Sequence, residues 1–289
     1  MRSLLFVPGD SERKIAKGLA SSADALILDL EDAVAPDRKG AARALCAEIL
    51  AQARGTGKSL IVRINALDTS YALGDIAAVV RHAPFGLMVP KCGGATDLEQ
   101  LSHILDGLEA RDDIPQGQTK LLPVATETAG AVLNLVRGTK PIPRLYGMLW
   151  GAEDLAADIG ALSNRDGAGA YTMPCILARN LCLLAASTAG CVPIDAVFTN
   201  FRDTEGLRTE AEAAARDGFT AKAAIHPDQI ETINAAFTPS AEATERARRI
   251  VAAFAAAPDR GAVSLEGRML DRPHLRTAER VIARSRPSA

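Results

Sequence analysis

Residues 25–32 read ALILDLED and residues 60–65 read LIVRIN. Each is a short apolar run that ends abruptly in charged side chains, and the pattern recurs along the chain. Further runs of this kind occupy 4–7, 86–89, 121–125, 145–150, 194–198 and 221–225, so that with 25–30 and 60–64 there are eight. Most are continuously apolar rather than alternating, which is how parallel strands covered on both faces read. Amphipathic segments such as 38–54, 98–111 and 204–216 lie between them. Strands alternating with helices argue for βαβ units and a parallel sheet. Eight such strands favour closure into a (β/α)8 TIM barrel over an open doubly wound sheet. No GxGxxG follows the first strand, which weakens a dinucleotide-binding reading.

After the eighth strand, 241–257 reads as one more helix, and Pro258 and Gly261 then break the pattern. The expected organisation is therefore a catalytic barrel over 1–238 and a C-terminal helical extension, or lid, over 239–289. Gly267 and Pro273 make the stretch between them unlikely to continue a helix.

Composition excludes several classes of function. The chain has 289 residues, 48% hydrophobic and 24% charged, with net charge −2. No global positive field recruits nucleic acid or anionic lipid. No run approaches the roughly 20 apolar residues that span a bilayer. The opening MRSLLFVPGD meets Pro8 and Gly9 too early for a signal peptide. The five cysteines are an odd set without CxxC pairing, so they read as reduced, mostly buried residues in a cytoplasmic protein.

The informative polar residues stand where the strand runs end. Asp29, Glu31 and Asp32 follow the second run, Arg63 and Asn65 the third, Lys91 the fourth, Glu127 the fifth, and Glu153 and Asp154 the sixth. In a parallel barrel these points share the C-terminal rim, where active sites occur. So many charges on one rim require a cation and an anionic ligand to organise them. Glu127 and Asp154 follow adjacent strands and suit magnesium, which takes one or two carboxylates and fills its octahedron with waters and substrate oxygens. No His/Cys cluster competes for a softer metal. An isolated acid in such a place often only caps a helix; it is the convergence that favours a site. Arg63, inside an apolar strand, suits a carboxylate or a thioester-derived oxyanion, the alternative being a structural pair with Glu31 or Asp32. Lys91 reads as an ordinary loop lysine. Arg2, Lys14 and Lys39, with Lys17 and Arg38, are candidates for a basic rim that receives phosphates. His226 reads as structural, before a proline well placed to begin a helix.

Taken together, RSLLFVPGD, LILDLEDAV, VRIN, LMVPK, ETAGAVLN, WGAEDLAADIG, FRDTEGL, AIHPDQI and GRMLDRPHLRTAER resemble, in order and over essentially the whole chain, the citrate lyase beta-subunit family of the HpcH/HpaI aldolase superfamily. The resemblance implies a TIM barrel, Mg2+, coenzyme A or carrier-protein thioester substrates, and a homotrimeric or hexameric assembly. It implies that Glu127 and Asp154 bind Mg2+, that Glu127 and Arg63 contact substrate, and that Glu31 and Asp32 support the metal's water shell. It also implies that Asp271 is a catalytic acid/base reaching into a neighbouring subunit. The implied reaction cleaves a citryl-, malyl- or citramalyl-CoA type thioester into a 2-oxo acid and an acyl thioester. Malyl-CoA thioesterase or malate-synthase-like chemistry, and a carrier-dependent citrate lyase subunit, are the alternatives. A non-catalytic binding module fits the full rim of charges least well.

Overall fold

The computed structural model describes residues 1–53, 57–138 and 142–285. Arg54, the end of the helix expected over 38–54, lies outside the described residues, as do the last four residues of the expected extension. The chain divides into two compact units, Met1–Asn234 and Ala235–Ala289.

The first unit carries eight strands: β1 (Ser3–Pro8), β2 (Ala25–Asp29), β3 (Ser59–Arg63), β4 (Gly86–Val89), β5 (Lys120–Pro123), β6 (Gly147–Leu149), β7 (Val192–Asp195) and β8 (Ala221–Ala224). Its helices are α1 (Glu12–Leu19), α2 (Lys39–Gln52), α3 (Ala72–Val80), α4 (Ala95–Arg111), α5 (Ala129–Gly138), α6 (Glu153–Asp158), α7 (Met173–Ala189), α8 (Thr204–Asp217) and α9 (Ile230–Ala236), whose last two residues fall past Asn234. Every strand pair in this sheet is parallel, in the order β5-β4-β3-β2-β1-β8-β7-β6. Parallel bridges Leu121↔Leu145 and Val124↔Leu149 join β5 to the β6 segment, and the barrel closes there.

The barrel interior is filled by Leu4, Ile27, Ile61, Met88, Leu122, Leu149 and Ile194, with the small Ala221 and Ala223 on β8. Each large side chain contributes roughly 1.5–3 kcal/mol by leaving water. This explains why the strands read as unbroken apolar runs. The seventh strand differs from expectation: 194–198 was the apolar run, but the ladder occupies Val192–Asp195. Pro193 has no N–H to donate, yet its carbonyl accepts from Thr220 N at 3.1 Å, so the strand tolerates it. The Ala196 carbonyl leaves the sheet to accept from the Lys222 ammonium at 2.8 Å.

The second unit contains α10 (Ala241–Ala255), an antiparallel hairpin of β9 (Ala262–Leu265) and β10 (Arg268–Asp271), and α11 (Arg272–Ser285). Ala247, Ile250, Phe254, Leu270 and Ala278 form its own small core. The hairpin was not anticipated in what was expected to be a helical extension. Glu266 and Gly267 both have positive φ, 52° and 75°, as a two-residue primed turn requires. Pro273 does not end a helix here but sits in the first turn of α11, where a missing N–H costs nothing. Among the described residues no helix is long and apolar enough to cross a membrane.

Candidate active site

The parallel register of β2 and β3 sets Asp29 directly beside Arg63. The guanidinium makes a forked pair, Nε to Asp29 Oδ1 and Nη2 to Asp29 Oδ2, both at 2.7 Å. Nη1 lies 3.0 Å from Glu31 Oε2 and 4.0 Å from Asp32. The Arg63 side chain is only 12% exposed, and its head lies 4.9 Å from the Phe6 ring centroid. Burial works against its charge, but the Asp29 hydrogen bonds and the surrounding acids outweigh that and raise its pKa. Asp29 is the partner that sequence reasoning missed, since only the register reveals it. Asp29 also accepts from the backbone N–H groups of Glu31 (2.9 Å) and Ala33 (3.2 Å), ordering the loop that carries Glu31 and Asp32.

Lys91 is no ordinary loop lysine. It takes a left-handed backbone conformation, φ 49°, uncommon for a residue with a side chain. That turn lets its N–H donate to the Glu127 carboxylate while its ammonium reaches Glu31 Oε1 at 2.5 Å. The same ammonium lies 3.5 Å from Asp154 and 3.8 Å from Asp32. Burial opposes the Lys91 charge, yet Glu31, Asp154 and Asp32 together raise its pKa. Glu31 itself is shifted upward, mainly by burial.

A cleft of about 460 Å³ opens among Phe6, Asp29, Asp32, Arg63, Glu127, Trp150 and Asp154. Glu127 is 3% exposed, whereas the Asp154 side chain is 34% exposed. Burial, followed by the charges of Asp154 and Glu31, pushes the Glu127 carboxyl up to about 8. Burial and two neighbouring acids thus oppose a charge on Glu127. A divalent ion held by the buried Glu127 and the half-exposed Asp154 would relieve that opposition and could take water and substrate oxygens as its further ligands. Among the described residues no group of three or more His, Cys, Asp or Glu side chains is placed to hold a metal. A two-carboxylate donor set therefore fits magnesium better than zinc. A second cleft of about 500 Å³ lies among Leu60, His82, Phe85 and Pro115, away from these converging groups.

The remaining candidates separate. Glu31 is buried beside Arg63 and Lys91, and Asp32 is exposed at the same loop. Lys14 is exposed on α1. Arg2 precedes β1, at the opposite end of the barrel from the carboxylates. It pairs there with Asp24 at 2.9 Å and so is not brought to this rim. Lys39 is buried, its ammonium donating to the carbonyls of Leu30 (2.8 Å) and Glu31 (2.7 Å), and it presents no free charge to a phosphate. His226 caps the short turn 227–229, its Nδ1 accepting from Asp228 N at 3.2 Å. In the second unit Asp271 ends β10, half-exposed, with His274 Nδ1 at 2.6 Å; that hydrogen bond lowers its pKa.

These features agree with what the chain is similar to. A (3S)-malyl-CoA thioesterase of Cereibacter sphaeroides is 36% identical over 286 residues, covering 98% of this chain and 94% of the relative. An L-malyl-CoA/beta-methylmalyl-CoA lyase of the same species is 35% identical, covering 97% and 93%. The solved structure of CitE from Mycobacterium tuberculosis, in complex with magnesium, acetoacetate and coenzyme A, superposes with a TM-score of 0.80. That structure is 36% identical, covering 98% of this chain and 97% of its own. The model of the HpcH/HpaI aldolase/citrate lyase family matches residues 2–227, which take in the barrel strands and the whole rim of charges. The chain belongs to the HpcH/HpaI aldolase/citrate lyase family.

Proposed function

We propose that the protein is a Mg2+-dependent carbon–carbon lyase. It cleaves a 3-hydroxyacyl thioester of coenzyme A bearing a carboxylate, giving a 2-oxo acid and an acyl thioester. The observation that carries this reading is the convergence of the buried Glu127 carboxylate, Asp154 and the Arg63 fork on one cleft. The relatives' malyl-CoA and methylmalyl-CoA chemistry, and the magnesium and coenzyme A of the M. tuberculosis structure, support it.

Glu127 and Asp154 would hold the ion, with Glu31 and Asp32 orienting water around it. Mg2+ supplies Lewis-acid polarisation of the substrate's hydroxyl and carboxylate oxygens. Arg63 uses two of its five N–H groups on Asp29. Nη1 lies 3.0 Å from Glu31, and the Arg63 side chain lines the cleft, so the head could hold the thioester oxygen as it gains enolate charge when the carbon–carbon bond breaks. Asp271 delivers or removes the proton at the enolate carbon, a step typically worth about 10²–10⁴ in rate. The exposed Lys14 on α1 is the basic residue of the three expected that remains available to a coenzyme phosphate.

We assign Asp271 to the site of a neighbouring copy in a homotrimer or hexamer. Exposed Leu133 and Val136 on α5, with Met173, Leu177 and Leu184 on α7, support burial against another chain. The charge imbalance agrees: Ala235–Ala289 holds ten arginines against six acids, while the chain as a whole is −2. Mixing tests this. Arg63→Ala and Asp271→Ala proteins, each inactive, should recover part of the activity when dissociated and reassembled together. Mixed oligomers without activity would refute it.

The test of the reaction is an assay with Mg2+ against malyl-CoA, citramalyl-CoA and citryl-CoA, following both 2-oxo acid and free thiol. Release of 2-oxo acid without thiol is the expected result. Free thiol with intact 3-hydroxy acid would mark thioester hydrolysis, the second reading, which the 36% identical thioesterase favours.

A further inference from the structure

Six side chains, Trp150 among them, form a closed ring. Trp150 Nε1 donates to Asp195 Oδ1 at 2.7 Å. The other Asp195 oxygen accepts from the Lys222 ammonium at 2.7 Å, and Lys222 also reaches Glu210 Oε1 at 2.9 Å. Glu210 Oε2 pairs with Arg165 Nη2 at 2.7 Å. The Arg165 guanidinium lies 3.8 Å from the Tyr171 ring centroid, and Tyr171 meets Trp150 edge-on at 4.9 Å. The ring thus returns to its start. Lys222 is 0% exposed and Asp195 1%.

Buried charges are costly unless each is paired and hydrogen-bonded. Here every one is: Lys222 makes three bonds, the third to the Ala196 carbonyl. Such networks contribute less to stability than to fixing one arrangement over others. The arrangement fixed is that of Trp150. The next residue, Gly151, passes so close to Glu127 that an added Cβ would lie 2.9 Å from its Cγ, and Asp154 follows three residues later. The ring ties together the end of β6, the end of β7, β8, α8 and the loop before α7. None of its members reaches Glu127 or Asp154 by a hydrogen bond.

We propose that this ring is a positioning device: by anchoring the Trp150 indole it fixes the turn 150–154 and so the spacing of Glu127 and Asp154. Lys222 and Asp195 are positioning residues, not catalytic ones. The inference rests on the reading of Glu127 and Asp154 as the Mg2+ ligands, and its test separates the two.

Two variants test it. Trp150→Phe keeps an aromatic ring against Tyr171 but loses the N–H donor together with part of the buried indole, so the double variant, which leaves Trp150 in place, is its control. Asp195→Asn with Lys222→Met neutralises the buried pair without leaving a lone charge, which protects folding. Trp150 is the chain's single tryptophan, so in the double variant its emission reports its own surroundings. Mg2+ titration by calorimetry should show affinity weakened about tenfold or more in both, the loss expected for one buried hydrogen bond to a charged group. The melting temperature of the metal-free Trp150→Phe protein should fall by only a few degrees. In the double variant the emission should shift to the red, and amide exchange of the peptide spanning 150–156 should quicken without added metal. Unchanged Mg2+ affinity with unchanged exchange in that peptide overturns the inference. A wild-type protein that binds no Mg2+ overturns the metal reading instead, and the exchange and emission measurements then decide the ring's role alone.

Discussion

Gly151→Ala perturbs the site by a single methyl group. Gly151 opens the turn after β6, its N–H donating to Thr126 Oγ1 at 2.9 Å. A Cβ there would stand 2.9 Å from Glu127 Cγ and 3.2 Å from Val124 Cγ1. Carbon atoms rest at about 3.5–4.0 Å, so Glu127 or the turn must give by roughly half an ångström or more. Glu127 is not free to give, because its carboxylate accepts from Lys91 N. Overpacking of this size costs about 1–3 kcal/mol. For a unit running from Met1 to Asn234, each kcal/mol moves Tm by about 2–4 °C, so a fall of roughly 2–12 °C is expected. Sites tolerate about 0.5 Å of displacement before function suffers. Mg2+ affinity should therefore weaken by about tenfold, beyond what the stability loss explains, because the protein remains folded at 25 °C. Calorimetric titration with Mg2+ and a thermal melt on the same sample read both quantities. Affinity within twofold of wild type in a folded protein would refute the argument. It would mean that Glu127 does not bind the ion or that the turn absorbs the methyl without moving it.

Arg63→Lys keeps the charge but loses the fork, so kcat/KM should fall by about 10² or more. Tm should drop by only a few degrees, since Asp29 retains its two backbone donors; preserved turnover with a large Tm loss would show that Arg63 merely joins β2 to β3. Lys91→Met removes the ammonium 3.5 Å from Asp154 but not the backbone N–H that holds Glu127, so Mg2+ should bind several-fold more tightly. Weaker binding by calorimetry would show that the ammonium is needed to shape the site. The pH dependence follows from Glu127, whose carboxyl rises from 4.5 to about 8 in the folded protein. The folded state then binds the extra proton between those values, so the stability this group contributes is full below about 4.5 and is lost as pH rises through about 8. Thermal melts of the metal-free protein should show that decline, and saturating Mg2+ should remove it.

All eight strands and the rim were legible because barrel strands are buried on both faces and most of their polar residues stand where they end, the buried Lys222 within β8 being an exception. What the sequence concealed was anything that depends on register or backbone conformation. Asp29 lies within its own strand in the sequence, and only its pairing with β3 reveals it as the partner of Arg63. Lys91 has no sequence signal for its left-handed φ, the feature that turns an exposed residue into one touching Glu31 and Glu127. Arg2 and Lys39 are basic and near the motifs, yet strand direction puts one at the wrong end of the barrel and burial engages the other. The hairpin at 262–271 did carry a signal, alternating residues around Glu-Gly, but the glycine and proline were read only as helix breakers.

Lys222 also belongs to β8, the last strand of the barrel, which pairs with the first. Its backbone N–H donates to the Arg2 carbonyl at 2.9 Å, within the pairing of β8 with β1. The two strands lie at opposite ends of the unit's sequence, so this closure pays its loop entropy before its contacts reward it. A nascent chain exposes the acids of β2, β5 and β6 well before residue 222 is synthesised. It lacks the ammonium that holds Asp195, the acceptor of the Trp150 N–H. Maturation of the site is thereby coupled to completion of the fold, and a chain stalled one strand short carries every rim carboxylate without their working arrangement. In refolding kinetics, native Trp150 emission should appear in the same phase as barrel closure, and not with the earlier collapse of the individual βα units.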